Sequence, residues 1–330
     1  MKKVLVTGGS GFIGSNLVRS LLSQQHEVYL LVQPNDPLWR IKDIVDKVQI
    51  LYIGLTEFAA INAIVQTIKP DLIFHLASFG GMPYETDQKK VFDVNFYGTL
   101  NLLNACKKVG FECFVNTGSS SEYGKKDIPM HENLVLEPIS DYAVSKAAST
   151  QLCLKEALFN KLPIYTVRPF SVYGDAELHT RLVPTIALSM IHNKPLQLSS
   201  PHLVRDFIYI DDMITALLAV IQKKPATHFV FNAGSGVQST INDVVLAAQS
   251  CWPTGLTVEW GLHTQRPWEP THWVADITQS QTILDWKPRF SLAAGIEKTI
   301  SWFKNNLHLY DERLGADGKS SNTTQQQHTS

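Results

Sequence analysis

The chain is short of cysteine, short of charge and without long apolar runs. Four of its 330 residues are cysteine: Cys106, Cys113, Cys153 and Cys251. That is too few for a disulfide scaffold, and no CxxC or Cys/His spacing suits a zinc site. Reduced, buried thiols in a cytoplasmic protein are expected, with no metal. Charged residues make up 18%, below the usual value of about 25%, which excludes a disordered, highly solvated chain. An excess of either sign is also missing, because Lys plus Arg (29) balances Asp plus Glu (30). Nucleic acid or a membrane surface held by bulk charge is therefore not expected. The longest internal apolar run, Ile214 to Ile221, falls far short of the ~20 residues of a membrane span. The N-terminal apolar stretch, Val4 to Thr7, is shorter than the roughly 7–15 residues of a secretory signal.

What the chain has is alternation. Lys3–Thr7 reads as a buried strand. Phe12–Gln24 carries Ile13, Leu17, Leu21 and Leu22 at helical spacing. Strand signals follow at Val28–Val32, Leu72–Leu76, Cys113–Thr117 and Ile164–Val167. Helix signals lie between them at Asn62–Thr67, Val91–Lys108 and Tyr142–Phe159. Such alternation predicts an α/β fold, a Rossmann-type doubly wound parallel sheet covered on both faces. After Arg168, prolines punctuate shorter elements, which predicts a smaller interleaved C-terminal lobe. Residues 1–167 are expected to form the main domain around this sheet. Residues 205–234 return to it, with strands at Phe207–Ile210 and Phe229–Asn232. Residues 168–204 and 235–310 form the substrate lobe, and 311–330 a disordered polar tail.

The string Thr7-Gly8-Gly9-Ser10-Gly11-Phe12-Ile13-Gly14 closes the first strand and opens the first helix. Gly8 permits the tight turn. Gly11 admits a pyrophosphate to the backbone. Gly14 lets the helix pack close to the sheet. The helix N-terminus then offers free N–H groups to phosphate. Strand–turn–helix context makes this glycine triplet specific.

This TGGSGFIG string resembles that of the extended short-chain dehydrogenase/reductase family, whose members mostly modify nucleotide sugars. The resemblance covers about residues 3 to 304. It implies that Gly8, Gly11, Phe12, Ile13 and Gly14 hold a dinucleotide, together with Gln33, Leu55, Asn95 and the strand end Leu76, Ala77 and Ser78. His75, beside them, is read as a core histidine. An acid normally ends the second strand of NAD proteins and holds the ribose diol. Gln33 stands there instead; Asp36 is the nearest acid, and Arg40 follows. A guanidinium suits a 2′-phosphate, which a carboxylate would repel, so NADP is expected, with NAD as the alternative.

Thr117-Gly118-Ser119-Ser120-Ser121-Glu122-Tyr123-Gly124 resembles the family's SSxxVYG string, which places Ser119 at the catalytic position. Tyr142-Ala143-Val144-Ser145-Lys146 is a YxxxK pair, and residues four apart share a helix face. A neighbouring ammonium favours the phenolate, so Tyr142 and Lys146 can work as an acid–base pair. Lys146 would also hold the nicotinamide ribose.

Arg168-Pro169-Phe170-Ser171-Val172-Tyr173-Gly174 resembles RPFNVYGP, with Ser171 in place of asparagine. Arg205-Asp206-Phe207-Ile208-Tyr209-Ile210-Asp211 resembles RDFxYxxD. By resemblance, Gly80, Ser120, Ser171, Arg181, Arg205 and Arg266 contact a nucleoside-diphosphate sugar, and the chain forms a homodimer. The Ser78–Tyr84 loop and the GSSSEYG string resemble those of CDP-abequose-synthase-like 4-ketoreductases. The leading expectation is reduction of the C4 ketone of an NDP-4-keto-6-deoxyhexose by NADPH, with Tyr142 as proton donor. The alternative is an NAD-dependent NDP-hexose 4-epimerase. A 4,6-dehydratase is disfavoured, because Ser120 and Ser121 stand where dehydratases carry Asp-Glu. A third reading is a non-catalytic dinucleotide-sensing regulator.

Overall fold

The computed structural model describes residues 1–82, 84–252, 255–261 and 270–310. The tail expected over 311–330 lies outside them. Strands β1 (Lys3–Thr7), β2 (Glu27–Val32), β3 (Gln49–Tyr52), β4 (Leu72–His75), β5 (Cys113–Thr117) and β6 (Ile164–Pro169) enter the main sheet. Further strands are β7 (Ser171–Tyr173), β8 (Leu196–Leu198), β9 (Val204–Tyr209), β10 (Val230–Ala233), β11 (Gln238–Thr240) and β12 (Val258–Trp260). The main sheet has seven parallel strands in the order β10-β6-β5-β4-β1-β2-β3. Its inner strands are almost wholly buried, as a sheet covered on both faces requires, whereas the edge strand β3 is partly exposed.

Successive side chains in a strand point to opposite faces, and the core divides accordingly. Val4, Val6, Val28 and Leu30 join one apolar cluster, whereas Leu5, Tyr29 and Leu31 join another. The first face carries α1 (Phe12–Ser23) and the later helices. The second is covered by α2 (Phe58–Ile68), α4 (Gly98–Val109) and α5 (Asp141–Phe159).

The helix expected over Val91–Lys108 is three pieces. A short α3 (Gln88–Phe92) leads into a π-helical turn, Asp93–Tyr97, and then α4. Of the two late strands, β10 pairs with β6 in the main sheet. β9 does not; it pairs with β7 and β11 in a separate three-stranded sheet. Between them α7 (Ile210–Lys223) packs on the first face. Of the remaining helices, α6 (Leu182–Ile191), α8 (Ile241–Ser250) and α10 (Leu292–Asn305) pack on the small sheets, and α9 (Thr278–Leu284) packs on β10 and α7.

All four cysteines are free, and Cys106, Cys113 and Cys153 are buried. Burial pushes the thiols of Cys106 and Cys113 up to about 12. Among the described residues no helix is long and apolar enough to cross a membrane.

Candidate active site

Strand order reverses between β1 and β4, and a crevice opens beyond their carboxyl ends. A cleft of about 820 Å³ lies there. It is lined by Gly8, Gly11, Phe12, Ile13, Gly14, Gln33, Leu55, Leu76, Ala77, Ser78, Tyr142 and Lys146, all of them expected from the sequence. The glycines are needed for room. A methyl built on Gly14 would lie 2.0 Å from the Gly8 carbonyl oxygen, and one on Gly8 would lie 2.7 Å from the Ala77 amide nitrogen. Gly8 also has a φ of +70°. No side chain caps the first turn of α1, and no acid enters it, so its leading N–H groups remain available to an anion.

The end of β2 differs from expectation. Arg40 does not line the cleft. Its Nε donates to the Ala176 carbonyl at 2.7 Å, and its guanidinium stacks 4.2 Å over the Trp39 ring. Asp36 does line the cleft, and so does Lys90 of α3. Desolvation raises the Asp36 carboxyl, while the Gln33 backbone and Lys90 draw it down. The sequence could not orient Arg40, because its partner lies on the far side of the chain.

Asn95, expected to hold the dinucleotide, is not among the residues that line the cleft. It is buried, and its side chain is committed away from the cleft. Oδ1 accepts from Phe79 N, while Nδ2 donates to Phe79 O and to Ser145 Oγ, each at 2.8 Å. The residue thus pins the loop after β4 to α5. His75 is a core histidine, as read. Nδ1 meets Thr7 Oγ1 at 2.7 Å and Nε2 meets Thr99 Oγ1 at 2.8 Å. Thr99 donates its own proton to the Asn95 carbonyl, so Nε2 carries the ring proton and Nδ1 accepts from Thr7. Burial lowers the His75 imidazole to about 3.

Ser119, Tyr142 and Lys146 come together. Ser119 follows β5 and is buried, while Tyr142 and Lys146 share a face of α5, whose N-cap is Ser140. Burial raises the Tyr142 phenol. The Ser119 hydroxyl, the Arg181 guanidinium and the Ser78 hydroxyl draw it down, while Glu122 pushes it up. The sequence had assigned the lowering to Lys146. Burial lowers the Lys146 ammonium instead, with Glu122 opposing. Gly80, at a φ of +92°, packs on Tyr142 and on Val91: a methyl there would lie 3.5 Å from Tyr142 Cβ and 2.7 Å from Val91 Cγ2.

Behind the site lies a buried ion pair that sequence reasoning missed. Arg168 Nε meets Glu122 Oε2 at 2.8 Å, with side-chain exposures of 2% and 0%. Glu122 also accepts from Ser119 N and Thr150 Oγ1. The signal was present: Ser119 and Glu122 have the S-x-x-E spacing of a capping box, and the structure forms one at the head of the 3-10 turn Ser120–Tyr123.

Of the residues expected to contact a sugar nucleotide, Ser120 is buried at the start of that turn, and Ser171 begins β7. Arg181 is the N-cap residue of α6, and it draws down both Tyr142 and Glu177. Burial holds the Glu177 carboxyl up, at about 8. Arg205 donates to the Val204 carbonyl and sits 5.7 Å from the Trp273 ring. Its neighbour Asp206 is engaged by Ser235, Gly236 and Ala275. Arg266 lies outside the described residues.

A parallel sheet with a glycine cradle at its switch point, facing a serine, a tyrosine and a lysine, defines a Rossmann-type short-chain dehydrogenase/reductase. The model of the NAD dependent epimerase/dehydratase family matches residues 4–234. The chain belongs to that family. It is 29% identical over 317 residues to the UDP-glucuronate 4-epimerase of Thermodesulfobacterium geofontis, covering 92% of this chain and 97% of that one. It is 26% identical over 333 residues to the human dTDP-D-glucose 4,6-dehydratase, covering 93% and 91%. Among solved structures, the UDP-glucuronic acid 4-epimerase of Bacillus cereus in complex with UDP-glucuronic acid and NAD superposes with a TM-score of 0.81. That match has 28% identity and covers 92% of this chain and 99% of the other.

Proposed function

We propose that the protein is an NAD-dependent 4-epimerase of a nucleoside-diphosphate hexose. The carrying observation is the end of β2, where Asp36 lines the cleft and Arg40 faces away. A carboxylate accepts hydrogen bonds from a ribose diol and repels a 2′-phosphate. That favours NAD over NADPH, and with it an enzyme that takes a hydride from C4 and returns it. Relatives that are 4-epimerases and span nearly the whole chain support the same reading. The glycine cradle and the cleft volume fit a dinucleotide, since cofactor sites run from about 300 to 1,000 Å³.

Bound NAD would supply the hydride acceptor and donor at C4. This chain supplies the rest. Tyr142, as phenolate, takes the proton of the C4 hydroxyl and gives it back after the 4-keto sugar has turned its other face. Ser119 donates to the same oxygen and stabilises charge there. Lys146 holds the nicotinamide ribose, and the Ser119 hydroxyl and the Arg181 guanidinium draw the phenol down. Arg181 and Arg205 clamp the diphosphate. Val144, Leu158 and Phe159 of α5 stay exposed, which supports a homodimer packed through α4 and α5.

The NADPH-linked 4-ketoreductase reading uses the same three residues but needs a cation for the 2′-phosphate; Arg40 is committed elsewhere, and Lys90, which lines the cleft, faces the Asp36 carboxylate. One experiment separates the readings. The purified protein is denatured, any released dinucleotide is identified, and the native protein is incubated with UDP-glucuronic acid and with UDP-glucose. Released NAD and appearance of the C4 epimer support the proposal. An empty site that prefers NADPH, and no epimer, would sink it. Dinucleotide binding with no turnover of any sugar nucleotide would favour the regulator.

A further inference from the structure

The carboxylate of Glu122 joins two elements of the site through a single oxygen. Oε1 accepts from Ser119 N at 2.8 Å and from Thr150 Oγ1 at 2.9 Å. Thr150 stands on α5 one turn beyond Lys146 and two beyond Tyr142, so the three share a face. The strand end that carries Ser119 is thereby tied to the helix face that carries Tyr142 and Lys146. Oε2 is held from the other side by Arg168 Nε at 2.8 Å. Arg168 NH1 donates in turn to Tyr123 Oη, and Tyr123 donates to Asn232.

We infer that Glu122 is the positioning residue that fixes Ser119 against Tyr142, with Arg168 holding the carboxylate in place. The inference rests on reading Ser119, Tyr142 and Lys146 as the reacting groups. Gly118 supports it independently. A methyl at that position would lie 2.6 Å from Glu122 Oε1, so the missing side chain is what admits the carboxylate. Every polar neighbour of Glu122 is a donor, which is the pattern of an ionised carboxylate. The charged and titratable groups facing it are Arg168 from β6, Tyr123 beside it, and Tyr142, Lys146 and Cys153 from α5; Arg181, the N-cap residue of α6, also faces Tyr142. Buried ion pairs add little net stability over apolar replacements. What this pair adds is a fixed distance.

Glu122→Gln is the obvious variant, but it leaves Arg168 buried and uncompensated and can fail to fold. Thr150→Val is milder, because it removes only the hydroxyl that links α5 to Glu122. We expect kcat to fall about 10- to 100-fold, the loss typical of a reacting group slightly out of place, with KM and dinucleotide affinity unchanged. The loosened Ser119 hydroxyl no longer draws down the phenol, so the limb of the pH profile that reports Tyr142 moves to higher pH. Thr150→Ser restores both. A Thr150→Val protein that melts earlier but keeps kcat and the pH profile would overturn the inference. Phenolate absorbance of Tyr142, with Tyr142→Phe as the blank, follows the same shift without substrate. It therefore decides the matter even if the parent protein turns over no sugar nucleotide, the outcome that would defeat the proposed function instead.

Discussion

Arg40 donates through Nε to the carbonyl oxygen of Ala176 at 2.7 Å, joining the segment after β2 to the loop after β7. The bond holds chain segments together rather than reaching toward the cleft. Arg40→Ala is therefore expected to leave the choice between NAD and NADP unchanged. It should lower stability by roughly 1.5–3 kcal/mol, the range for hydrogen bonds to charged groups. Dinucleotide titration and a urea melt of the same protein check both halves.

Asp36 carries the opposite expectation. Asp36→Asn keeps its shape and removes its charge. NAD affinity should fall about ten-fold, roughly 1.4 kcal/mol, while NADP loses less because the repulsion is gone. Calorimetric titration of the apoprotein with each dinucleotide measures the ratio. Equal losses for both would count against Asp36 as the discriminating group.

Tyr142→Phe removes the proton carrier and little else. Turnover should fall by about 10²–10⁴, the usual contribution of general acid–base catalysis. Dinucleotide binding should persist, since Gly8, Gly11 and Gly14 are untouched. Steady-state kinetics beside a binding titration tests this.

Gly14→Ala drives a methyl to within 2.0 Å of the Gly8 carbonyl oxygen. Neither group is a flexible side chain, so backbone must move, at about 1–3 kcal/mol. We expect a lower melting temperature and weakened dinucleotide binding together. A variant that melts earlier and binds normally would show that the turn adapts.

His75 makes stability depend on pH. Its imidazole is held at about 3 in the fold, against 6.5 in the unfolded chain. Between these values the unfolded chain binds the extra proton. Stability is thus present above about pH 6.5 and falls as pH drops toward 3, by up to about 1.4 kcal/mol per pH unit. His75→Gln should flatten that slope, which urea midpoints at pH 5 and pH 7 measure.

Most of the main sheet was legible because each strand is a short apolar run bounded by turn residues, and each helix repeats at its own period. The place of Gly8, Gly11 and Gly14 at the cleft, and of Tyr142 and Lys146 on one face of α5, was legible in local spacing, and that of Ser119 in the resemblance of its string. Arg40 and Asn95 were not. Their side chains are claimed by partners far along the chain, Ala176 for one and Ser145 for the other. The strand expected at Phe207–Ile210 runs from Val204 to Tyr209, with Ile210 opening α7; its sheet was not foreseen, since a run of apolar residues does not say which neighbour it pairs with. Glu122 was passed over because its spacing from Ser119 reads as an ordinary cap until Thr150 and Arg168 close around it.

The position of β10 has a consequence for how the chain is made. β6 is an inner strand only because Val230–Ala233 lies against it. At translation rates of about 5–20 residues per second, roughly 3–13 s separate the synthesis of β6 from that of β10. During that interval the nascent sheet ends in an apolar strand with open backbone groups, the kind of edge that recruits other chains. Synthesis of this protein therefore passes through a window in which a chaperone, or a stalled neighbour, competes with its own unfinished sequence for that edge.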